Sequence, residues 1–333
     1  MSDEHTSRAR TVTRADVARY AGVSTAVVSY VLNDGPKSVA PLTRERVLDA
    51  VKVLGYRPNA AARALSKGSS DMFGMLVVDS RNPFFAQLCH ALGEAAALQG
   101  RSLLIVNTDR EHTTAADQIQ DLTARQIGGL IIADLLTAAE QALVENLGIP
   151  VVLINQYAGA VGVPALGADF RDGARQAVEH LVGHGYHSIA FIGSASIFDD
   201  RERGWGDALT AAGLPLGARI HAPFSYEGGY QAGIELADAA ERPRAAFAAS
   251  DQVAVGLMAA LHARGLRVPE DVAVASFDGT AAAEYAWPPL TTTAQPMAEM
   301  AQEAIRLLQA GDAAPGYRAF PTTLVVRRSC GCE

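Results

Sequence analysis

Cysteine is scarce in this chain: Cys89, Cys330 and Cys332 are the only three in 333 residues. So low and odd a count excludes a disulfide-stapled secreted scaffold and fits a reducing compartment. The Cys330-Gly331-Cys332 triplet has no His or Cys cluster beside it in sequence, so no metal is expected there and the C-terminus reads as a frayed end. Long apolar runs are missing as well. No segment approaches the roughly 20 residues that a bilayer span requires, and the first residues, MSDEHTSRAR, lack the apolar core of a secretory signal. A cytoplasmic chain with no membrane partner is expected. Catalytic signatures are absent too. Gly193-Ser194 follows an apolar run, but no G-x-G-x-x-G or G-x-x-x-x-G-K-[ST] stands at a strand end. His184 and His187 are three apart, yet Gly185-Tyr186 between them reads as a helix end and turn. No nucleophile–base pair stands out, so no enzyme, cofactor or metal site is expected.

An overall excess of basic residues is the last absence, since the net charge is −8. That figure hides an asymmetry. Residues 1–70 hold eleven Lys/Arg against six Asp/Glu, a net of +5, while the remainder holds 17 against 30, a net of −13. A basic head on an acidic body points to a polyanionic partner at one end only.

The head contains VTRADVARYAGVSTAVVSYVLN, residues 12–33. Thr13 and Asp16 form a capping-box-like start. A first helix then runs to about Ala21 with Val17, Ala18 and Ala21 on one face, and Gly22 breaks it. Ser24 suits the N-cap of a second helix. There Val27, Val28, Val31 and Leu32 share one side, Ala26, Ser29, Tyr30 and Asn33 the other, and Thr25 the leading edge. A small-polar outer face on an aliphatic-backed helix suits the major groove, which displays donors, acceptors and thymine methyls. The pattern predicts a helix-turn-helix with the second helix as reader. A third helix starting at Thr43, with Val47, Val51 and Leu54, closes the head. Lys37, Arg44 and Arg57 are candidate phosphate contacts. Residues 57–70 are Ala-rich but too poor in aliphatic surface to fold alone, and read as a linker that becomes helical when docked. Leu65 is its one large apolar side chain and could wedge between base steps in a minor groove.

From Met72 short aliphatic runs alternate with amphipathic helical patterns. Strands are expected at 73–79, 103–107, 130–133, 151–154, 188–193, 245–249, 272–277 and 322–326. Helices are expected at 86–99, 115–126, 138–147, 172–183, 200–212, 228–239, 253–264 and 297–309. This βαβ rhythm, which restarts midway, predicts two doubly wound parallel-sheet subdomains with a cleft between them. Three regions follow: a head at 1–56, a linker at 57–70 and a body at 71–333. Within the body an N-subdomain takes about 71–168 plus 295–322, and a C-subdomain about 169–294 plus 323–333. In open α/β sheets ligands sit beyond the carboxyl ends of the strands. Those ends lead into Asn82-Pro83-Phe84-Phe85, Asp109, Arg201, Phe224, Ser250-Asp251 and Asp278. Aromatic planes with a few convergent charges describe a pocket for a sugar or a nucleobase. Asp251 also reads as an ordinary helix N-cap, and Asp109 is equally ambiguous.

Taken together, DVARYAGVSTAVVSYVLN, GYRPNAAARALS, NPFF, the stretch from Arg201 to Trp205, SDQVAVG, VASFDG and PPLTTTAQP make the chain resemble the LacI/GalR family of bacterial transcription regulators along nearly its whole length. The resemblance implies a helix-turn-helix head, a body of periplasmic-binding-protein type, a homodimer on a pseudo-palindromic double-stranded operator, and a small-molecule effector, a sugar or sugar derivative, in the cleft. It places Thr25, Ala26 and Tyr30 at base-reading positions, Ser24 and Ser29 at backbone-fixing positions, and Asn59, Ala62 and Leu65 in a hinge helix. Thr13 and Asn33 complete the DNA-facing set. Many relatives carry Arg where this chain has Tyr30, so the bidentate guanine contact is not expected there. Phe85, Arg201, Phe224 and Asp278 fall at effector-contacting positions, and Met297 falls where some relatives place an aromatic. A repressor of carbohydrate-utilisation genes is the expectation. The alternatives are a corepressor-type sensor of a nucleobase and a pure sugar receptor.

Overall fold

The computed structural model describes residues 12–32, 38–57, 70–108, 113–157, 162–194, 200–311 and 313–333. The chain divides into two compact units, Met1–Ser70 and Asp71–Glu333. Asn33, Lys37, Asn59, Ala62, Leu65 and Asp109 lie outside the described residues, as does most of the expected hinge helix.

Among its described residues the first unit holds three helices: α1 (Arg14–Ala21), α2 (Thr25–Leu32) and α3 (Pro41–Leu54). Thr13 and Asp16 form a reciprocal capping box. The Thr13 hydroxyl accepts from the Asp16 N–H at 3.3 Å, and the Asp16 carboxylate accepts from the Thr13 N–H at 2.9 Å. Gly22 then ends α1 in the left-handed region at φ 65°, which glycine adopts without steric cost. The Ser24 Oγ accepts from the Val27 N–H at 3.3 Å and starts α2. Helix α3 begins at Pro41, two residues before the expected Thr43, because a proline at the first position has its φ preset and no N–H to leave unpaired. Val17, Ala18, Ala21, Val28, Val31, Val47, Ala50 and Tyr56 form the small core.

The second unit is two stacked α/β lobes. The N-lobe contains β1 (Met72–Val77), α4 (Pro83–Ala97), β2 (Ser102–Asn107), α5 (Ala115–Ala124), β3 (Leu130–Ala133), α6 (Ala138–Glu145), β4 (Val151–Ile154) and β5 (Pro164–Ala168). The C-lobe contains α7 (Phe170–Gly183), β6 (Ile189–Gly193), α8 (Asp200–Ala211), β7 (Arg219–His221), α9 (Tyr226–Asp238), β8 (Ala245–Ala248), α10 (Asp251–Ala263), β9 (Ala273–Asp278), α11 (Ala281–Glu284) and β10 (Thr291–Ala294). The chain then returns: α12 (Met297–Ala310) packs on the N-lobe and β11 (Gly316–Phe320) joins its sheet. β12 (Thr323–Val325) pairs with β10, and a 3-10 turn (Arg328–Cys330) closes the C-lobe. The sheets run β11-β5-β4-β3-β1-β2 and β12-β10-β9-β8-β6-β7, parallel throughout except for the antiparallel β10–β12 pair. The backbone therefore passes between the lobes near Asp169, Gln295 and Pro321. The Asp169 N–H donates to the Phe320 carbonyl at 2.8 Å and ties two of those passages together.

Alternation along the strands puts a core on each face of each sheet. In the N-lobe, Phe73, Met75 and Val77 meet Leu88, Leu92 and Met300, while Leu76 and Ile132 meet Ile119 and Leu122 on the other side. In the C-lobe, Phe191, Phe247 and Phe277 pack with Trp205, and Ile192, Ala248 and Val274 pack with Leu257 and Leu261.

Four strands escape the sequence pattern. β5, β7, β10 and β11 carry Gly, Ala, Thr and charged residues in place of an aliphatic run. β10 is buried all the same because its threonine hydroxyls are hydrogen-bonded inside the lobe. The C-terminus is not frayed as expected: Ser329 and Cys330 are fully buried, with Ser329 Oγ donating to the Val274 carbonyl at 2.7 Å. Among the described residues no helix is long and apolar enough to cross a membrane.

Candidate functional site

The facing carboxyl ends of the two sheets enclose a cavity of about 320 Å³. From the N-lobe it is lined by Val78, Asp79, Asn82, Phe84, Phe85, Ala133, Asp134, Leu135, Asn155 and Tyr157. The C-lobe contributes Ser194, Arg201, Phe224, Ser250 and Asp278. Asn82 caps α4, its side chain accepting from the Phe84 N–H at 2.9 Å, and so sets both phenylalanines at the cleft. The two rings meet edge to face at 5.2 Å.

Arg201, in the first turn of α8, is only 5% exposed. Its guanidinium lies 4.5 Å from the Phe170 ring centroid, 5.1 Å from Phe277 and 5.5 Å from Phe224, a cage of aromatic faces that favours a weakly hydrated cation. It also donates to the Tyr157 hydroxyl at 3.0 Å, a hydrogen bond from the C-lobe to a residue that follows β4 of the N-lobe. Asn155, at φ 59°, holds a buried side-chain oxygen with no hydrogen-bond partner among the described residues.

Asp278 ends β9 at φ 122°, a strained backbone for any residue but glycine. Burial and the nearby Asp251 push its carboxyl up to about 8, against the pull of Arg201 and a 2.9 Å hydrogen bond from the Gln295 amide. A group poised near neutrality in a cleft can accept hydrogen bonds when charged and donate one when protonated. Asp251 is different. Ser250, not Asp251, is the N-cap of α10. The Asp251 carboxylate accepts from Ser276 Oγ at 2.6 Å, Thr292 Oγ1 at 2.6 Å, and the Thr280 N–H and hydroxyl at 2.6 and 2.8 Å. Burial raises its pKa against those four donors. It is a knot joining β9, β10, α10 and α11, and the expectation that it contacts an effector is corrected: it does not line the cavity.

Of the expected effector residues, Phe84, Phe85, Arg201, Phe224 and Asp278 come together in the cavity. Met297 packs into the N-lobe core and does not line it. Tyr157, Asn155 and Asp134 are not among the sequence candidates, and Ser194 figures there only as part of a nucleotide loop that lacks its motif. The signal that could have found them is the same rule, since each lies one to three residues past the end of β3, β4 or β6. On the head, Thr25 and Ala26 are exposed on α2, and Ser29 and Tyr30 are half-buried beside them. Thr13 and Ser24 have their hydroxyls engaged in helix capping.

Residues 13–59 match the profile described as bacterial regulatory proteins, lacI family, and residues 178–330 match a periplasmic binding protein-like domain. Catabolite control protein A of Priestia megaterium is 32% identical over 305 residues, 89% of this chain and 91% of its own. The crystal structure of the Lac repressor dimer bound to operator and the anti-inducer ONPF superposes with a TM-score of 0.84 at 30% identity, over 96% of this chain and 99% of that one. A transcriptional regulator CelR–cellobiose complex superposes at 0.67 and 30% identity, over 96% and 99% of the two chains.

Proposed function

The chain belongs to the lacI family of bacterial regulatory proteins, and on that premise we propose that it is a transcriptional repressor whose grip on an operator is set by a saccharide in the cleft of its body. Two copies of the head would lay α2 in successive major grooves of a pseudo-palindromic duplex. Thr25 and Ala26 present a small hydroxyl and a methyl to the bases, and Ala26 favours a thymine methyl by apolar contact. Tyr30 offers one hydroxyl and no guanidinium fork, so the guanine contact that many relatives make is replaced by a weaker single hydrogen bond.

One observation carries the effector reading: Arg201 and Asp278 share a cavity with Phe84, Phe85 and Phe224. A sugar ring is an apolar plate edged with hydroxyls. Its face stacks on Phe85 or Phe224, while its hydroxyls fork to the guanidinium and to the carboxyl. The bound sugar competes with Tyr157 for Arg201 and so acts on the hydrogen bond that crosses between the lobes. A ligand shifts an equilibrium only through its different affinity for the two states, and operator and effector must affect each other equally. The coupling expected is about 1–3 kcal/mol, or roughly 5- to 150-fold in operator affinity. The similarity to the transcriptional regulator CelR in complex with cellobiose supports a saccharide as ligand.

The test has two stages. The full chain is used to select duplexes from a random pool at moderate salt, and the enriched duplex is then titrated in the presence of mono- and disaccharides. Enrichment of an inverted repeat whose affinity one sugar alters at least about fivefold is the expected result. No preference for any duplex, with or without sugars, overturns the reading. A response to nucleobases alone overturns the saccharide.

A further inference from the structure

At the far end of α7 from the interlobe passage, four side chains that the effector site does not use converge. His180 lies in the last turn of α7, and His184 is its C-cap, four residues on and on the same face. Their rings meet edge to face at 4.7 Å and their Nε2 atoms stand 3.3 Å apart. Across from them the C-terminal turn brings up Cys330 and Cys332. Gly331 separates the two at φ 105°, a conformation that a residue with a Cβ resists and that turns both thiols to one side. His180 Nε2 is 3.2 Å from Cys330 Sγ and 3.7 Å from Cys332 Sγ, and His184 Nε2 is 3.2 Å from Cys332 Sγ. All four donor atoms lie within 4.8 Å of one another.

We infer that His180, His184, Cys330 and Cys332 form a structural zinc site that staples the C-terminal turn to α7. Zinc–sulfur and zinc–nitrogen bonds of about 2.3 and 2.0–2.1 Å at tetrahedral angles give ligand–ligand edges of roughly 3.3–3.8 Å. Four of the six separations, at 3.2–3.7 Å, are close to that scale, and the remaining two are within 4.8 Å, a gap that small side-chain rotations close. The ligand set selects the metal class. With two thiols, two imidazoles and no carboxylate, a hard cation such as calcium or magnesium has no oxygen to bind, whereas S2N2 is a common tetrahedral zinc set. Four protein ligands leave no open position, which marks a structural role rather than a catalytic one.

The surroundings hold the ligands in place independently of any ion. Ser329 Oγ accepts from the Thr291 N–H at 2.8 Å, and the Arg328 and Ser329 N–H groups donate to the Pro289 carbonyl at 3.1 and 3.0 Å. Thr291 Oγ1 lies 3.1 Å from Cys330 Sγ, placed to donate to a thiolate as the outer partner that metal sites commonly keep. Binding releases the two thiol protons to solvent, so occupancy falls as pH is lowered.

The experiment uses the full chain without a polyhistidine tag, grown with zinc, exchanged against a mild chelator and analysed for metal. About one zinc per chain is expected, retained in His187→Ala and Cys89→Ser and lost in His184→Ala and Cys332→Ser. Should those variants fold poorly, the wild-type chain stripped of metal serves instead. It takes up one cobalt(II) with the intense visible bands of a tetrahedral thiolate–imidazole site, and zinc displaces them. Zinc loading raises its melting temperature. Fewer than about one zinc in ten chains, a six-coordinate cobalt spectrum, or a Cys330–Cys332 disulfide in freshly purified protein each overturns the inference.

Discussion

Leading out of the same strand order, the two sheets hold the polar groups at the cleft between them in different ways. The N-lobe side brings Phe84, Phe85 and Leu135 together with Asp134, Asn155 and Tyr157, and the C-lobe side brings Arg201, Ser250 and Asp278 together with Phe224. Their buried polar side chains differ in their partners. In the N-lobe these groups serve the backbone. Asn82 caps α4, Glu140 closes a capping box on α6, and the Gln156 amide donates to the Asp134 and Ile154 carbonyls. In the C-lobe they bond largely to other side chains: Asp251 to Ser276, Thr280 and Thr292, Asp278 to Gln295, Arg201 to Tyr157. Backbone partners are fixed by the helix they cap, whereas side-chain partners can be exchanged for a ligand. The N-lobe thus gives the cleft a mixed wall whose buried polar groups are tied to the backbone, and the C-lobe carries the side-chain pairs that a ligand can exchange.

The largest expected effect tests that contrast on stability. Asp251→Ala removes one acceptor and strands four donors in a dry interior. With unsatisfied buried groups costing about 1–3 kcal/mol each, and some hydroxyls able to turn elsewhere, the loss should be roughly 3–5 kcal/mol. Glu140→Ala, its N-lobe counterpart, removes a cap and should cost about 1 kcal/mol. Urea denaturation of the two variants compares them directly. Equal losses would erase the distinction between the lobes.

How far this contrast was legible in sequence depended on how local its cause is. Arg201, Phe224 and Asp278 were visible because strand ends of a parallel sheet converge, and the aliphatic runs marked the strands. Asn155 and Tyr157 obey the same rule but are harder to see, since Asn155 carries no charge and Tyr157 stands three residues past the end of its strand. The Asp251 knot was hidden because its partners come from three separate segments, joined only once Thr291–Ala294 is recognised as a strand with no aliphatic residue in it. The His–Cys cluster was hidden for the same reason. The spacing of His180 and His184 is readable on a helix, but only the packing of the C-terminal turn brings Cys330 across some 150 positions.

Arg201→Ala comes next in size and moves the contrast from stability to binding. Truncating one partner of a buried hydrogen-bonded charge costs about 2–5 kcal/mol. Affinity for the responsive saccharide should therefore fall at least about 30-fold by calorimetry. Operator affinity without sugar should shift in the direction that the sugar shifts it in wild type, because the variant lacks the Arg201–Tyr157 bond for which the sugar competes. A normal sugar response in this variant would remove Arg201 from the effector site.

A smaller effect, dependent on pH, belongs to Asp278 on the C-lobe side of the cleft. Its folded-state pKa of about 8 lies above the ordinary 3.8, so between those values the folded chain keeps a proton that the unfolded chain has lost. Its contribution is fully present below the unfolded value and disappears as pH rises through the folded one. The slope is at most about 1.4 kcal/mol per pH unit. Asp278→Asn should flatten the decline of stability between pH 5 and 8 (on the order of one proton's linkage). Parallel pH profiles for wild type and variant would show that Asp278 is already ionised at neutral pH.

The smallest effect belongs to the phenylalanines on the N-lobe side. Phe85 is half-buried and meets Phe84 edge to face, and in Phe85→Ala the cleft loses one stacking plane but no charge. An aromatic contact of this kind contributes about 0.5–1.5 kcal/mol beyond its area. Saccharide affinity should therefore fall roughly 3- to 10-fold. The loss should be the same at pH 6 and pH 9, since no titrating group is touched. Calorimetry at the two pH values separates the walls: a loss rivalling that of Arg201→Ala would place the dominant binding energy on the N-lobe. A loss that changes with pH would mean the phenylalanine acts by shielding Asp278 from water, and it would then be part of the sensor rather than its backing.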